Sequence, residues 1–288
     1  MLQPVRTKYR KAFKGRIHGK AKGNHDILNI AGWGDRDLDD ILVCLSQTVS
    51  VFKTVITPKL FNKKAVLVEN YSDTAFSQEH PKMYKVTPEN RIYLNINADN
   101  DAYANYVLQF AHEYGHHLLD CDFYNTHDQF GWFEEVLCEV AGLYALHAVS
   151  KECDAELAND LNDVLRDILN DKTYHIDRPL AEWIAENQEL LSLDRYFRTH
   201  NKTIAIKLAP LFFENPKLWL WISVLKILMT LCALLLTVFP ETLRKSCESL
   251  NQTNSFRHFQ ILKCFTIFMS LCHGFAHCQI VNMMKILS

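Results

Sequence analysis

Acidic residues are missing from the first 22 positions of the chain, where eight lysines and arginines stand against no aspartate or glutamate. With Tyr9, Phe13 and the glycines 15, 19 and 23 set between the cations, such a segment cannot bury a core of its own. No apolar run follows the positive region, which argues against a secretory signal; the same acid-free composition would also suit an organelle transit peptide. Paired cysteine spacing is missing as well. The nine cysteines are an odd number, and Cys44, Cys121, Cys138 and Cys153 are scattered singly through the middle. A disulfide framework is therefore not expected, and a reducing, cytoplasmic setting is. Internal repeats and low-complexity segments are also lacking.

What remains is 288 residues, 48% of them hydrophobic, enough to bury a sizeable core. The net charge of −2 conceals an uneven distribution. Residues 23–217 carry seventeen basic side chains against thirty-one acidic ones, and residues 218–288 carry six against two. The charge pattern divides the chain into a basic arm (1–25), an acidic globular middle (26–217) and an apolar tail (218–288).

The arm could lie along phosphates, its cations releasing counterions and its aromatics stacking on bases. Its sequence, M-L-Q-P-V-R-T-K-Y-R-K-A-F-K-G-R-I-H-G-K-A-K-G-N-H, resembles the start of the bacterial large-subunit ribosomal proteins of the L-sixteen family. That resemblance implies an RNA contact, and it covers about 25 residues. Three readings stay open: a fused leader without a role, a solvated basic tail, and a working RNA contact, the last the least favoured.

In the middle, Leu38, Ile41, Leu42, Leu45, Val49 and Phe52 keep helical spacing behind Asp35–Asp37. Short apolar runs at 65–68, 83–86 and 91–96, separated by turn residues, predict a small sheet. Helical patterns follow at 101–120, 129–150, 154–171, 179–190 and 203–213. The order predicts an α+β fold with a small mixed sheet and a largely helical second half.

Within the 101–120 helix sits H-E-x-x-H, as His112, Glu113 and His116. Four residues advance a helix by about 400°, so both imidazoles leave one face about a turn apart and can converge on one ion. Zn2+ suits that pair, with Glu113 placed as general base toward an activated water. The motif arises by chance in roughly 3% of chains of this composition, so a third ligand is needed to give it weight.

Two residues compete for that position. Glu135 follows His116 after eighteen intervening residues, on the next helical segment; an antiparallel second helix could bring its carboxylate over the histidines. Glu139, one turn on, could accept the free N–H of a ligating imidazole. H-E-x-x-H, eighteen residues, then Glu135 preceded by Trp132, is similar to the gluzincin metallopeptidases, above all their aminopeptidase branch. That resemblance implies His112, His116 and Glu135 as zinc ligands, Glu113 as catalytic base, Glu139 as a supporting carboxylate, and peptides or proteins as substrates. The wider region, from Gly32-Trp33-Gly34 to L-A-P-L-F-F-E-N-P at 208–216, resembles a bacterial family bearing this same zinc site. The chain departs from the aminopeptidases in lacking a Gly-x-Met-Glu-Asn exopeptidase signature, and no transition-state tyrosine is assigned among Tyr124, Tyr144, Tyr174 and Tyr196.

The competing ligand is Asp122, six residues after His116, as in metzincin-like enzymes. That arrangement wants a glycine three residues after the second histidine, and Leu119 stands there instead. His117 faces away from the pair and reads as packed or solvated, and Phe110 and Tyr114 read as core. The strand at 91–96 either offers an edge to an extended peptide or is internal; both remain open. Residues 218–239 hold one charge, Lys226, and are long enough to span a bilayer, while 264–284 form a weaker charge-free stretch. The expected protein is thus a zinc-dependent metallopeptidase; the alternative is a catalytically silent zinc-stabilised module or an RNA- or ribosome-associated protein acting through its arm.

Overall fold

The computed structural model describes residues 27–33, 37–56, 64–70, 81–85, 90–95, 103–119 and 131–220. The basic arm, Asp122 and the tail beyond 220 lie outside the described residues, as do Cys121 and Tyr124. The elements run β1 (Ile27–Ala31), α1 (Leu38–Val55), β2 (Val66–Asn70), β3 (Lys82–Lys85), β4 (Asn90–Leu94), α2 (Tyr103–Leu119), α3 (Gly131–Val149), α4 (Ala155–Asn170), a 3-10 turn (Lys172–Tyr174), α5 (Leu180–Leu193) and α6 (Arg198–Glu214). Among the described residues the fold is mixed α+β and mostly helical, with one small sheet.

Local chemistry explains several boundaries. The Asp37 carboxylate accepts from the backbone N–H groups of Asp39 (3.0 Å) and Asp40 (3.3 Å), satisfying donors that the first turn of α1 leaves unpaired. Asp154 caps α4 in the same way through Glu156 and Leu157, both at 3.1 Å. The described part of α2 ends at Leu119, the position where a metzincin-type turn would want glycine.

The sheet order is β1-β2-β4-β3, with β1, β2 and β4 parallel and β3 antiparallel to β4. β1 is a strand the sequence reading does not contain. Its five residues are too short to show a period, and their pairing with β2 is made across α1, so no local signal marks them. Just after β1, Gly32 adopts φ +77°, and a β-carbon there would lie 1.9 Å from the Asn70 carbonyl oxygen. Both the left-handed backbone and the close pass beside β2 require glycine. Along β4, Asn90, Ile92 and Leu94 are buried while Arg91 and Tyr93 are part-exposed. β4 is paired on both sides, so its edge is not open to a substrate; among the described strands, β3 forms that border of the sheet.

Fifteen of the nineteen residues of α3 are buried, because α1, α2, α4, α5 and α6 all pack on it. Phe52, fully buried on α1, meets Tyr114 of α2 (6.1 Å between ring centroids), Tyr144 of α3 (5.6 Å) and Trp219 (5.1 Å). This aromatic cluster binds the first helix to the rest of the core. Phe110 and Tyr114 stack at 5.4 Å and are core, as expected. No helix among the described residues is long and apolar enough to cross a membrane, and the candidate span 218–239 falls almost wholly outside them.

Phe52→Ala is expected to lower the unfolding free energy by about 3–5 kcal/mol, since it removes the shared member of the cluster. Asp37→Ala, which removes a single cap, should cost about 1 kcal/mol. Urea titration followed by far-UV circular dichroism measures both, and equal losses would contradict the assignment of Phe52 to the core.

Candidate metal centre

α2 and α3 run antiparallel, as their contacts show: Leu108 meets Gly142, and further along α2 Gly115 meets Cys138. A β-carbon on Gly115 would stand 3.1 Å from the Cys138 sulfur, and one on Gly142 2.9 Å from Leu108 Cδ1. Small residues at these two crossings let the helices approach closely enough for short side chains to meet.

His112, His116 and Glu135 meet there, their ligand atoms all within 4.8 Å of one another. The Oε2 atom of Glu135 lies 3.5 Å from His112 Nε2 and 3.6 Å from His116 Nε2. Ligands about 2.0–2.1 Å from a tetrahedral zinc stand about 3.3–3.4 Å apart, so both distances are close to those of a zinc site. The imidazole ring centroids are 5.3 Å apart, with the ring planes at 68°. The other Glu135 oxygen, Oε1, is buried without a hydrogen-bond partner. A His-His-Glu donor set of this shape fits a zinc-class cation.

The far sides of the rings are also supplied. His116 Nδ1 lies 2.8 Å from Glu134 Oε1, and His112 Nδ1 lies 3.7 Å from Glu139 Oε1. Donation from Nδ1–H to a carboxylate would leave each Nε2 as the metal-facing lone pair. Glu139 thus stands beside the His112 ring, at ion-pair rather than hydrogen-bond distance. Glu134 is the support that sequence reasoning misses; the Glu134-Glu135 doublet is its only trace in the sequence. Arg195 is a second omission. Its Nη2 lies 3.4 Å from Glu134 Oε2 and 3.7 Å from Glu135 Oε1, from a turn sixty residues further along the chain.

Burial pushes the Glu113 carboxyl above its ordinary range, opposed by the charges of His112 and His116. Burial alone would push His112 down, but its hydrogen bond to Glu135 and the charges of Glu139 and Glu113 carry it above the usual imidazole value. His116 is likewise opposed by burial yet held well above that value by its hydrogen bonds to Cys138, Glu134 and Glu135. Glu135, despite burial, is held below the carboxylate range by the two histidines. The Cys138 thiol is pushed up to about 12, chiefly by burial, and packs as a neutral side chain.

The other singled-out residues take definite places. His117 is buried on another face, its Nδ1 2.9 Å from Asn90 Nδ2 and its ring stacked on Tyr114. Of the tyrosines, Tyr144 belongs to the core and Tyr174 lies under Lys202, while Tyr196 is exposed with its ring 5.3 Å from the Arg195 guanidinium carbon.

No family model matches the chain, and no solved structure matches it. Over part of its length it is similar to the large ribosomal subunit protein uL16. The likeness to that protein of Chelativorans sp. is 41% identity over 73 residues, covering 25% of this chain and 52% of the relative. With that of Cereibacter sphaeroides it is 65% over 73 residues, with the same coverage, and with that of Rhodospirillum centenum 40% over 77 residues, 27% and 53%. The chain spans about half the length of the curated relatives it matches. A 73-residue alignment cannot be contained in 25 residues, so the likeness runs further than the arm on which the resemblance is read. These relatives lend nothing to the metallopeptidase resemblance, which stands on the residues alone.

Because both imidazoles bind protons more tightly than usual, a metal must displace those protons. Zinc affinity should therefore rise with pH between 6 and 8, and binding should release protons. Calorimetry in buffers of differing ionisation enthalpy measures the release; pH-independent zinc affinity over that range would contradict the assignment of His112 and His116 as ligands.

Proposed function

We propose that residues 26–217 form a zinc-dependent metallopeptidase that hydrolyses peptide bonds. The observation that carries this reading is the convergence of His112, His116 and Glu135 on one point beside Glu113. Zinc, when bound, supplies Lewis-acid polarisation of a carbonyl and activation of a water. The remaining steps belong to the chain. Glu113 takes the proton from the water and passes it to the leaving amine, a role suited to a carboxyl whose proton affinity burial has raised. Glu134 and Glu139 hold the ligand imidazoles in orientation. An extended substrate laid along β3 would continue the sheet by backbone hydrogen bonds.

A second reading rests on a separate observation, the partial likeness to uL16. In it the metal centre is structural, and the chain contacts ribosomal RNA through residues 1–25. The relatives' names favour this reading over the first. Either reading suits a cytoplasmic protein, and attachment to a membrane through 218–239 would be compatible with the first.

Two experiments on the full chain separate the readings. Glu113→Gln should retain zinc and lose peptide hydrolysis by a factor of about 10² or more, the scale of a lost general base. Wild-type protein that holds one zinc but cleaves no member of a diverse peptide library would turn the assignment toward the silent module. For the RNA reading, binding should vanish on deletion of residues 1–25 and weaken steeply with salt, with a log–log slope no steeper than about −6 if all eight cations meet phosphates of a single strand. Binding unaltered by the deletion would remove the arm from the interface.

A further inference from the structure

We infer that Arg195 is a positioning residue of the metal centre: it fixes the planes of the Glu134 and Glu135 carboxylates so that one supports His116 while the other presents its oxygen to the ion. The inference rests on the metal reading above and deepens it. The two carboxylates share one pattern. Glu134 turns Oε1 to His116 Nδ1 and Oε2 to the guanidinium; Glu135 turns Oε2 to both Nε2 atoms and Oε1 to the guanidinium. The last torsion of a glutamate is soft, so a carboxylate held through only one oxygen can swing. Glu134 is hydrogen-bonded through both oxygens, and Glu135 is restrained at its second oxygen by the charge of Nη2 at 3.7 Å.

The backbone of Arg195 is fixed and its side chain enclosed. The Arg195 side chain is only 10% exposed. Its carbonyl accepts from the Nδ2 of buried Asn201 at 2.7 Å. The turn around it is closed by Tyr196 N–H on Asp194 Oδ1 at 2.9 Å and Phe197 N–H on the Asp194 carbonyl at 3.1 Å. At the start of α3, a β-carbon on Gly131 would lie 2.9 Å from both Nε and Cζ of Arg195. The space the guanidinium occupies thus depends on glycine at that position.

Charge and position predict opposite signs. A cation beside a dication site repels the metal, so if Arg195 acted by charge alone its removal would tighten zinc. If it acts by holding the carboxylates, removal loosens zinc. Both contacts are made by Nη2, and lysine keeps the charge but not the rigid guanidinium plane that sets where that nitrogen stands between the two carboxylates.

The test is zinc affinity of the full-length protein, by competition with a chromophoric chelator, with the absorption spectrum of the cobalt form as a readout of ligand geometry. Arg195→Met should weaken zinc by about 10–100-fold and alter the cobalt bands. Arg195→Lys should recover little of that loss, and Gly131→Ala, which retains the arginine but crowds it, should weaken zinc in the same direction. Unchanged or tighter zinc in Arg195→Met with an unchanged cobalt spectrum, while Glu135→Ala loses the metal, overturns the inference and leaves the metal centre standing. Wild-type protein that takes up neither metal overturns both. Should Arg195→Met fail to fold, Gly131→Ala decides: affinity and spectrum equal to wild type overturn the inference.

Discussion

The close antiparallel contact of α2 and α3 is the constraint on which the rest of the structure depends. Histidine and glutamate side chains are short relative to the usual 8–10 Å between helix axes, so ligands from two helices converge only where the backbones come near. Gly115 against Cys138 and Gly142 against Leu108 provide that approach. The same contact seats Tyr114 beside Phe52 and so brings α1 onto the pair. Site and core are consequently one packing arrangement seen from two sides.

Charge is the second organising influence. Glu113, Glu134 and Glu135 are buried, with Glu139 at their margin, and an uncompensated buried carboxylate costs several kcal/mol. The protein meets that cost with Arg195 and with two imidazoles that hold protons beyond their ordinary range. The proton-loaded state and a metal-loaded state are alternative ways of neutralising the same carboxylates. A cluster of this composition would be a poor device for stabilising a fold that had no cation to receive, since apolar side chains of similar volume would serve a core better.

Much of this was legible in the sequence, and the reasons differ by element. The helices around the site announce themselves by period, and H-E-x-x-H places two histidines on one face by helical geometry alone. Glu135 and Glu139 follow from spacing together with a resemblance, whereas Glu134 does not, because nothing in a doublet of glutamates says which one stands between the two Nε2 atoms and which one at a ring's Nδ1. β1 escapes because a short parallel strand is defined by its partner across a crossover. The same holds for Arg195, whose role is created by a turn sixty residues away and has no local signature. The peptide-edge argument depends on strand order, which alternation within β4 cannot reveal; the pairing of β3 outside it moves the border by one strand. The uL16 likeness was visible in the arm, though not its extent.

Burial of α3 on nearly every side has a consequence for how this protein can change over time. A helix with a solvent face can exchange half its residues freely, and a site carried on such a helix can drift in position by small steps. α3 has little such face: fifteen of its nineteen residues are enclosed, and Glu135, its neighbour Glu134 beside His116, Glu139 facing His112 and both tight crossings are on that one segment. Few substitutions in it can be neutral to both packing and chemistry. The segment should therefore be inherited nearly intact or lost as a unit, and its carboxylate cluster should disappear abruptly rather than erode.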